Sequence, residues 1–240
     1  MQIKTNGPNT WETVFRDRNI TFLPTWLRDL YFTIITPAVR WVIKTELHPN
    51  IFTALGLALS VVAAIVLGAG YFFWGGLFIL LSGCCDVFDG MIARARSLGS
   101  KFGALFDSTL DRYSEFSVFL GISYYFVRAD MVKTAVVAFL ALGGSLMVSY
   151  VRARAEGLGL QCKIGIMQRP ERIVYLGFGA MAGEIPFIVV LYVIAILANF
   201  TAIQRVFHVW KSTFESEPSL KTTIQKEEIP QYNSPTNVNK

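Results

Sequence analysis

From residue 51 to residue 204 the chain runs through one apolar stretch after another, each close to the length that crosses a bilayer. A transmembrane helix needs about 20 mostly apolar residues. Six segments meet or approach that requirement: 51–74, 76–95, 104–126, 131–151, 172–183 extended from Pro170, and 185–204. The fifth is short and Gly-rich, and the second and third carry Asp and Arg. Only 16% of the residues are charged and 53% are hydrophobic, where a soluble domain carries about 25% charged residues. The surplus apolar surface needs lipid, which excludes soluble domains, collagen-like chains, disulfide scaffolds and wholly disordered chains. Long apolar runs without strict alternation favour helices over barrel strands. The expected fold is all-α, a polytopic membrane bundle of six transmembrane helices.

The flanks differ in character. Residues 1–48 read as a cytoplasmic N-terminal arm without the apolar core of a signal peptide, so the first membrane helix is expected to be its own insertion signal. Within that arm, Trp26, Leu27, Leu30, Tyr31, Ile34 and Ile35 recur at helical spacing over residues 24–44, opposite Arg28, Asp29, Arg40 and Lys44. That pattern predicts an amphipathic helix lying in the membrane interface. Residues 49–211 form the membrane domain. Residues 212–240 lose apolar periodicity and predict a disordered cytoplasmic tail.

Charge sets the orientation. With these spans, all of the 22 Lys and Arg residues except Arg128 and Lys133 fall on one side. The positive-inside rule places that side, with both termini, in the cytoplasm, and the absence of organelle signals suggests a prokaryotic plasma membrane. The net charge of +5 then faces anionic headgroups, and no aromatic-basic motif points to nucleic acid. Cys84 and Cys85 are adjacent and fit no metal-ligand spacing; with Cys162 they read as small packing residues. His48 and His208 read as interfacial.

The stretch Asp86-Val-Phe-Asp89-Gly90-Met-Ile-Ala93-Arg94, followed after eight residues by Gly103-Ala-Leu-Phe-Asp107-Ser-Thr-Leu-Asp111, is out of place in apolar surroundings. Asp86 and Asp89 are i,i+3 and share a helix face; Asp107 and Asp111 are i,i+4 and do the same. A short Gly-containing connection lets two antiparallel helix ends aim four carboxylates at one point. Each Asp at membrane depth costs about 2.5–3.5 kcal/mol, and four together repel one another. Divalent cations are the fitting partners, since all-oxygen ligands select Mg²⁺, Mn²⁺ or Ca²⁺, and two metals bridged by carboxylates suit phosphate chemistry. Salt-bridged polar glue between helices and an ion pathway through a divalent-cation transporter would also use carboxylates. Neither accounts for Gly90, which admits a bulky ligand, or for Arg94, which offers a fork to phosphate.

Asp-x2-Asp-Gly-x2-Ala-Arg-x8-Gly-x3-Asp-x3-Asp resembles the signature of the CDP-alcohol phosphotransferases at all eight of its positions. His48-Pro49-Asn50-Ile-Phe-Thr53 resembles that family's Pro-Asn-x-x-Thr element. The resemblance implies a six-helix membrane bundle, usually a homodimer, with its site open to the cytoplasm. It implies that Asp86, Asp89, Asp107 and Asp111 bind Mg²⁺ or Mn²⁺, two ions per site, and that Asp111 is also the general base. It implies that Asn50, Thr53, Asp89, Gly90, Arg94 and Ser100 hold the CDP part of CDP-diacylglycerol.

A second stretch, Tyr150-Val-Arg152-Ala-Arg154-Ala-Glu156 with Gln168-Arg169-Pro170-Glu171-Arg172, resembles the phosphatidylinositol-phosphate synthase branch of the family and its archaeal ether-lipid relatives. Gln168 stands where that branch has Glu, and Arg152 where Lys is common. Positive-inside topology accounts for some of these arginines, and the rest suit a phosphate pocket. The resemblance implies that Arg152, Arg154, Arg169, Arg172 and Arg205 cradle the phosphate of the acceptor. The expected activity is transfer of a phosphatidyl group from CDP-diacylglycerol to a phosphorylated polyol, inositol phosphate first, with release of CMP. Glycerol 3-phosphate and free inositol stand behind it as acceptors. A cation transporter and a non-catalytic helical scaffold are the competing classes.

Overall fold

The computed structural model describes residues 48–95 and 100–216, with side chains except at 94, 95, 215 and 216. The amphipathic helix expected over 24–44 and the tail beyond 216 lie outside the described residues. Those described form six helices: α1 (Pro49–Gly68), α2 (Phe72–Ala95), α3 (Lys101–Arg128), α4 (Val132–Gly157), α5 (Arg169–Met181) and α6 (Glu184–Ser216).

Local chemistry sets the helix starts. Pro49 opens α1 behind His48, whose side chain accepts from the Asn50 amide. Pro suits that position because its missing N–H would be unpaired there anyway. Ser100 caps α3 by accepting from the Gly103 amide at 2.9 Å, and Gln168 precedes α5, whose first turn contains Pro170. Short reversals at Gly70 (φ 90°), Asp130 (φ 60°) and Gly183 (φ 110°) join consecutive helices. The starts of α1, α3 and α5 and the ends of α2, α4 and α6 therefore gather at one end of the bundle.

Four helices, α1, α2, α4 and α6, are long and apolar enough to cross a membrane, and the chain is an integral membrane protein. The two others are α3 and α5, the third and fifth of the six expected spans. α3 has the length, 28 residues or about 42 Å at 1.5 Å per residue, but Asp107, Asp111, Arg112 and Glu115 lower its hydropathy. Its outer face is nonetheless apolar: Leu105, Tyr113, Phe116, Leu120 and Tyr124 are exposed at helical spacing. α5 has 13 residues, about 20 Å, against a hydrocarbon core of about 30 Å. At the other margin, helix continues through residues 212–216, where disorder was expected. The cause is aromatic and hydroxyl contact along α6: Phe207 and Phe214 both pack on Trp210, and the Ser212 and Thr213 hydroxyls bond the Val209 carbonyl.

α1 packs on α2 and α3, α2 on α5, α3 on α4, and α6 on α4 and α5. The core joins Leu67, Phe119, Ile122, Phe126, Phe187 and Leu191, all buried. Phe72 meets Tyr125 and Phe187 edge to face at centroid distances of 4.8 and 5.6 Å. α1 and α3 touch backbone to backbone where Gly121 faces Ala64; a Cβ on Gly121 would land on the Ala64 main chain. Because overpacking costs about 1–3 kcal/mol, Gly121→Ala should lower the melting temperature in detergent. Gly143→Ala, whose Cβ meets nothing within 4 Å, should leave it unchanged or raise it.

Candidate active site

The polar end of the bundle collects the carboxylates that the sequence pairs on two helices. α2 carries Asp86 and Asp89 and α3 carries Asp107 and Asp111. The four lie within electrostatic range of one another: Asp86 acts on Asp111, and Asp107 acts on the other three. α1 closes one side. Thr53 is buried there and donates to Asp89 Oδ2 at 2.8 Å. Gly56 leaves room for Asp86, whose Oδ1 would lie 3.3 Å from a Cβ at that position.

The fifth member of the cluster is Arg169, at the start of α5. Its Nη1 lies 2.8 Å from Asp86 Oδ2 and its Nη2 lies 2.8 Å from Asp111 Oδ1. Neither oxygen has another partner among the described residues, so the guanidinium is what stabilises both. Arg112 approaches Asp111 Oδ2 at 3.3 Å from the other side. Sequence reasoning assigned Arg169 to the acceptor's phosphate; here it stands between Asp86 and Asp111.

One turn deeper a second ion pair repeats the first. Arg172 Nε lies 2.8 Å from Glu115 Oε1, and its Nη2 lies 3.3 Å from Glu115 Oε2. Arg172 is buried, at 1% exposure, and Glu115 is partly buried. Arg172 Nη1 also donates to the Met167 carbonyl. Asp111 and Glu115 are i,i+4 on α3, and Arg169 and Arg172 are i,i+3 on α5, so the pairs form a two-rung ladder between the helices. Arg172, expected at the acceptor, is thus engaged by Glu115. Sequence reasoning passed over Glu115. Its signal was there, since 107, 111 and 115 continue one i,i+4 series.

The remaining candidates divide into two groups. Asn50 Oδ1 and the Ser100 hydroxyl both lie near Gly103, at 3.8 and 3.0 Å from a Cβ built there. The start of α1 and the start of α3 therefore adjoin. Gly90 lies in α2, and the Arg94 side chain lies outside the described residues. On the other side, Arg205 is 3% exposed. It donates to the Ile164 and Val148 carbonyls at 2.8 and 2.6 Å, pinning the α4–α5 loop to α6. Arg152 pairs with Glu156 at 2.8 Å on the surface of α4, and Arg154 is exposed. Cys162, buried in that loop, has its thiol pushed up by burial and is a neutral packing group. None of the three cysteines forms a disulfide.

The donor set fits a hard divalent cation, being carboxylate oxygen throughout, with two oxygens lacking a partner other than Arg169 among the described residues. Among the described residues, however, no three acidic, Cys or His groups are gathered to hold one ion. Oxygens sharing one Mg²⁺ lie about 2.0–2.1 Å from it, which draws them together. The bridging guanidinium of Arg169 instead takes one oxygen from each side.

Comparison with known proteins places the chain in a family. Residues 46–216 match the family model described as CDP-alcohol phosphatidyltransferase. The phosphatidylinositol phosphate synthase of Mycolicibacterium smegmatis is 32% identical over 200 residues, covering 80% of this chain and 90% of that protein. The archaetidylinositol phosphate synthase of Methanothermobacter thermautotrophicus is 38% identical over 172 residues, covering 70% and 86%. The crystal structure of Mycobacterium tuberculosis phosphatidylinositol phosphate synthase with CDP-DAG bound superposes with a TM-score of 0.67 at 30% identity, covering 74% of this chain and 94% of that one. The same enzyme in complex with manganese and citrate gives 0.65 at 30% identity, with coverage of 73% and 88%.

Removing one partner of a buried ion pair costs about 3–5 kcal/mol, because the other charge is left unpaired. Glu115→Ala should therefore lower the melting temperature sharply. Glu115→Leu with Arg172→Met should recover most of the loss, as thermal unfolding in detergent would record.

Proposed function

Because the chain belongs to the CDP-alcohol phosphatidyltransferase family, we propose that it transfers the phosphatidyl group of CDP-diacylglycerol to a hydroxyl of inositol phosphate and releases CMP. The observation that carries this reading is the meeting of Asp86, Asp89, Asp107 and Asp111 beside an arginine-rich helix start. The names of the inositol-phosphate-using relatives support the acceptor.

In this reading Asp86, Asp89, Asp107 and Asp111 hold one or two divalent ions, Mg²⁺ or Mn²⁺. A bound metal neutralises pyrophosphate charge and makes the phosphorus more electrophilic. Every other step belongs to the chain. The Asn50 and Ser100 side chains, the backbone at Gly90 and the residue Arg94 bind the CDP part of the donor. Thr53 fixes the orientation of Asp89. Arg152, Arg154 and Arg169 bind the acceptor's phosphate. Arg172 and Arg205 act from behind, shaping that pocket through Glu115 and the loop carbonyls. Asp111 takes the hydroxyl proton as the acceptor oxygen attacks phosphorus and CMP leaves. A carboxylate suffices, because the hydroxyl proton becomes acidic only as attack proceeds.

The catalytic domain is residues 49–211, with all six helices embedded. The exposed apolar stripe of α3 supports a lipid-facing place for that helix, and α5 sits short beside α2. Positive charge puts the site on the cytoplasmic side, and the enzyme works as a homodimer.

The test is an acceptor screen. Purified protein in detergent with CDP-diacylglycerol and Mg²⁺ is given inositol phosphate, glycerol 3-phosphate or inositol separately, and CMP release is measured. Inositol phosphate should give the fastest release, and Asp111→Asn should cut it by about 10²- to 10⁴-fold. Release with glycerol 3-phosphate alone would reassign the acceptor. Release with none of the three, alongside divalent-ion uptake into sealed vesicles, would favour a transporter.

A further inference from the structure

Arg169 reaches two carboxylates that belong to different helices, and it does so with both prongs of one guanidinium. We propose that Arg169 is an internal counter-ion that occupies the metal site when no metal is bound, and that metal loading releases it to the acceptor's phosphate, so that the metal opens the acceptor site. The proposal rests on the functional reading above for the metal and for the phosphate.

Three features of the structure carry it. The first is direct competition. Asp86 Oδ2 and Asp111 Oδ1 are the oxygens that Arg169 contacts, and neither has another partner among the described residues. A metal ligated by those oxygens on the side that the guanidinium fills competes with it for the same negative charge.

The second is that Arg169 can move without unfolding its surroundings. It is the first residue of α5, so its side chain hangs on a helix start. Arg172, one turn on, is tied to Glu115 by two contacts and to the Met167 carbonyl by a third. The lower rung of the ladder keeps α5 against α3 while the upper rung opens.

The third is the field that the released side chain would enter. Arg112, Arg169 and Arg172 lie within electrostatic range of one another, and Arg172 and Arg152 both act on Arg205. Once Asp86 and Asp111 turn to a metal, Arg169 is left among like charges. An anion is then the partner that lowers its energy, and a phosphate accepts a guanidinium fork well. Site filling becomes ordered: the metal first, the phosphorylated acceptor after it. Coupling between two sites commonly amounts to about 5- to 150-fold in affinity, and it is reciprocal.

The test uses the full chain in detergent, stripped of metal, without CDP-diacylglycerol. Mn²⁺ binding is followed by the loss of its free-ion paramagnetic resonance signal. Arg169→Gln removes the competitor and should bind Mn²⁺ about 5- to 150-fold more tightly than the unaltered protein. Arg169→Lys keeps the charge but loses the two-pronged bridge and should fall between them. Calorimetry on the unaltered protein should show inositol phosphate binding tighter with Mn²⁺ than without it by a factor in the same range. That arm needs no variant and stands if Arg169→Gln fails to fold.

Equal or weaker Mn²⁺ binding by a folded Arg169→Gln, or inositol phosphate affinity indifferent to Mn²⁺, would overturn the counter-ion role and leave the transferase reading intact. Absence of Mn²⁺ binding to the unaltered protein would instead overturn the metal site of the functional reading, and this inference with it.

Discussion

A guanidinium held 2.8 Å from each of two buried carboxylates is the contact on which the polar end of this bundle depends. Four Asp and one Glu lie within two helices whose outer faces meet lipid. Like charges at that spacing repel, and carboxylates removed from water lose solvation that only opposite charge can replace. Arg169 answers for Asp86 and Asp111, Arg172 for Glu115, and Arg112 adds a weaker contact at the rim. α5, too short to cross the bilayer on its own, is held in place because it brings two of these three arginines.

α5 packs on α2 and α6 and reaches α3 through its arginines. Close approach of α1 to α2 at Gly56, beside Asp86 and Cys85, brings Thr53 near enough to donate to Asp89. α6 returns along α4, and Arg205 reaches from it to the Val148 carbonyl on α4 and the Ile164 carbonyl in the loop before α5. The loop that leads into Arg169 is thereby tied to α6 at Ile164. Burial makes these contacts matter, since a donor or acceptor left unpaired there costs far more than one at the surface.

Much of this was legible beforehand. Apolar runs of bilayer length required helices, and the i,i+3 and i,i+4 Asp pairs required two shared faces. The eight-position signature identified the family, which the match over residues 46–216 bears out. Less legible were the partnerships. Arg152, Arg154, Arg169, Arg172 and Arg205 look alike along the chain, yet they divide by environment. Two are exposed on α4, one bridges the carboxylates, one is buried against Glu115, and one braces a loop. Glu115 lies beyond the last position of the signature, although it continues the i,i+4 series of Asp107 and Asp111.

The sequence by itself determined that this chain enters a membrane and that Asp86, Asp89, Asp107 and Asp111 meet. Periodicity and hydropathy are local properties, and a short connection leaves two helix ends little freedom. Only the tertiary structure decided which cation meets which carboxylate. An ion pair across helices depends on the depth and rotation of both, and those are set by packing between distant parts of the chain, as where Gly121 meets Ala64.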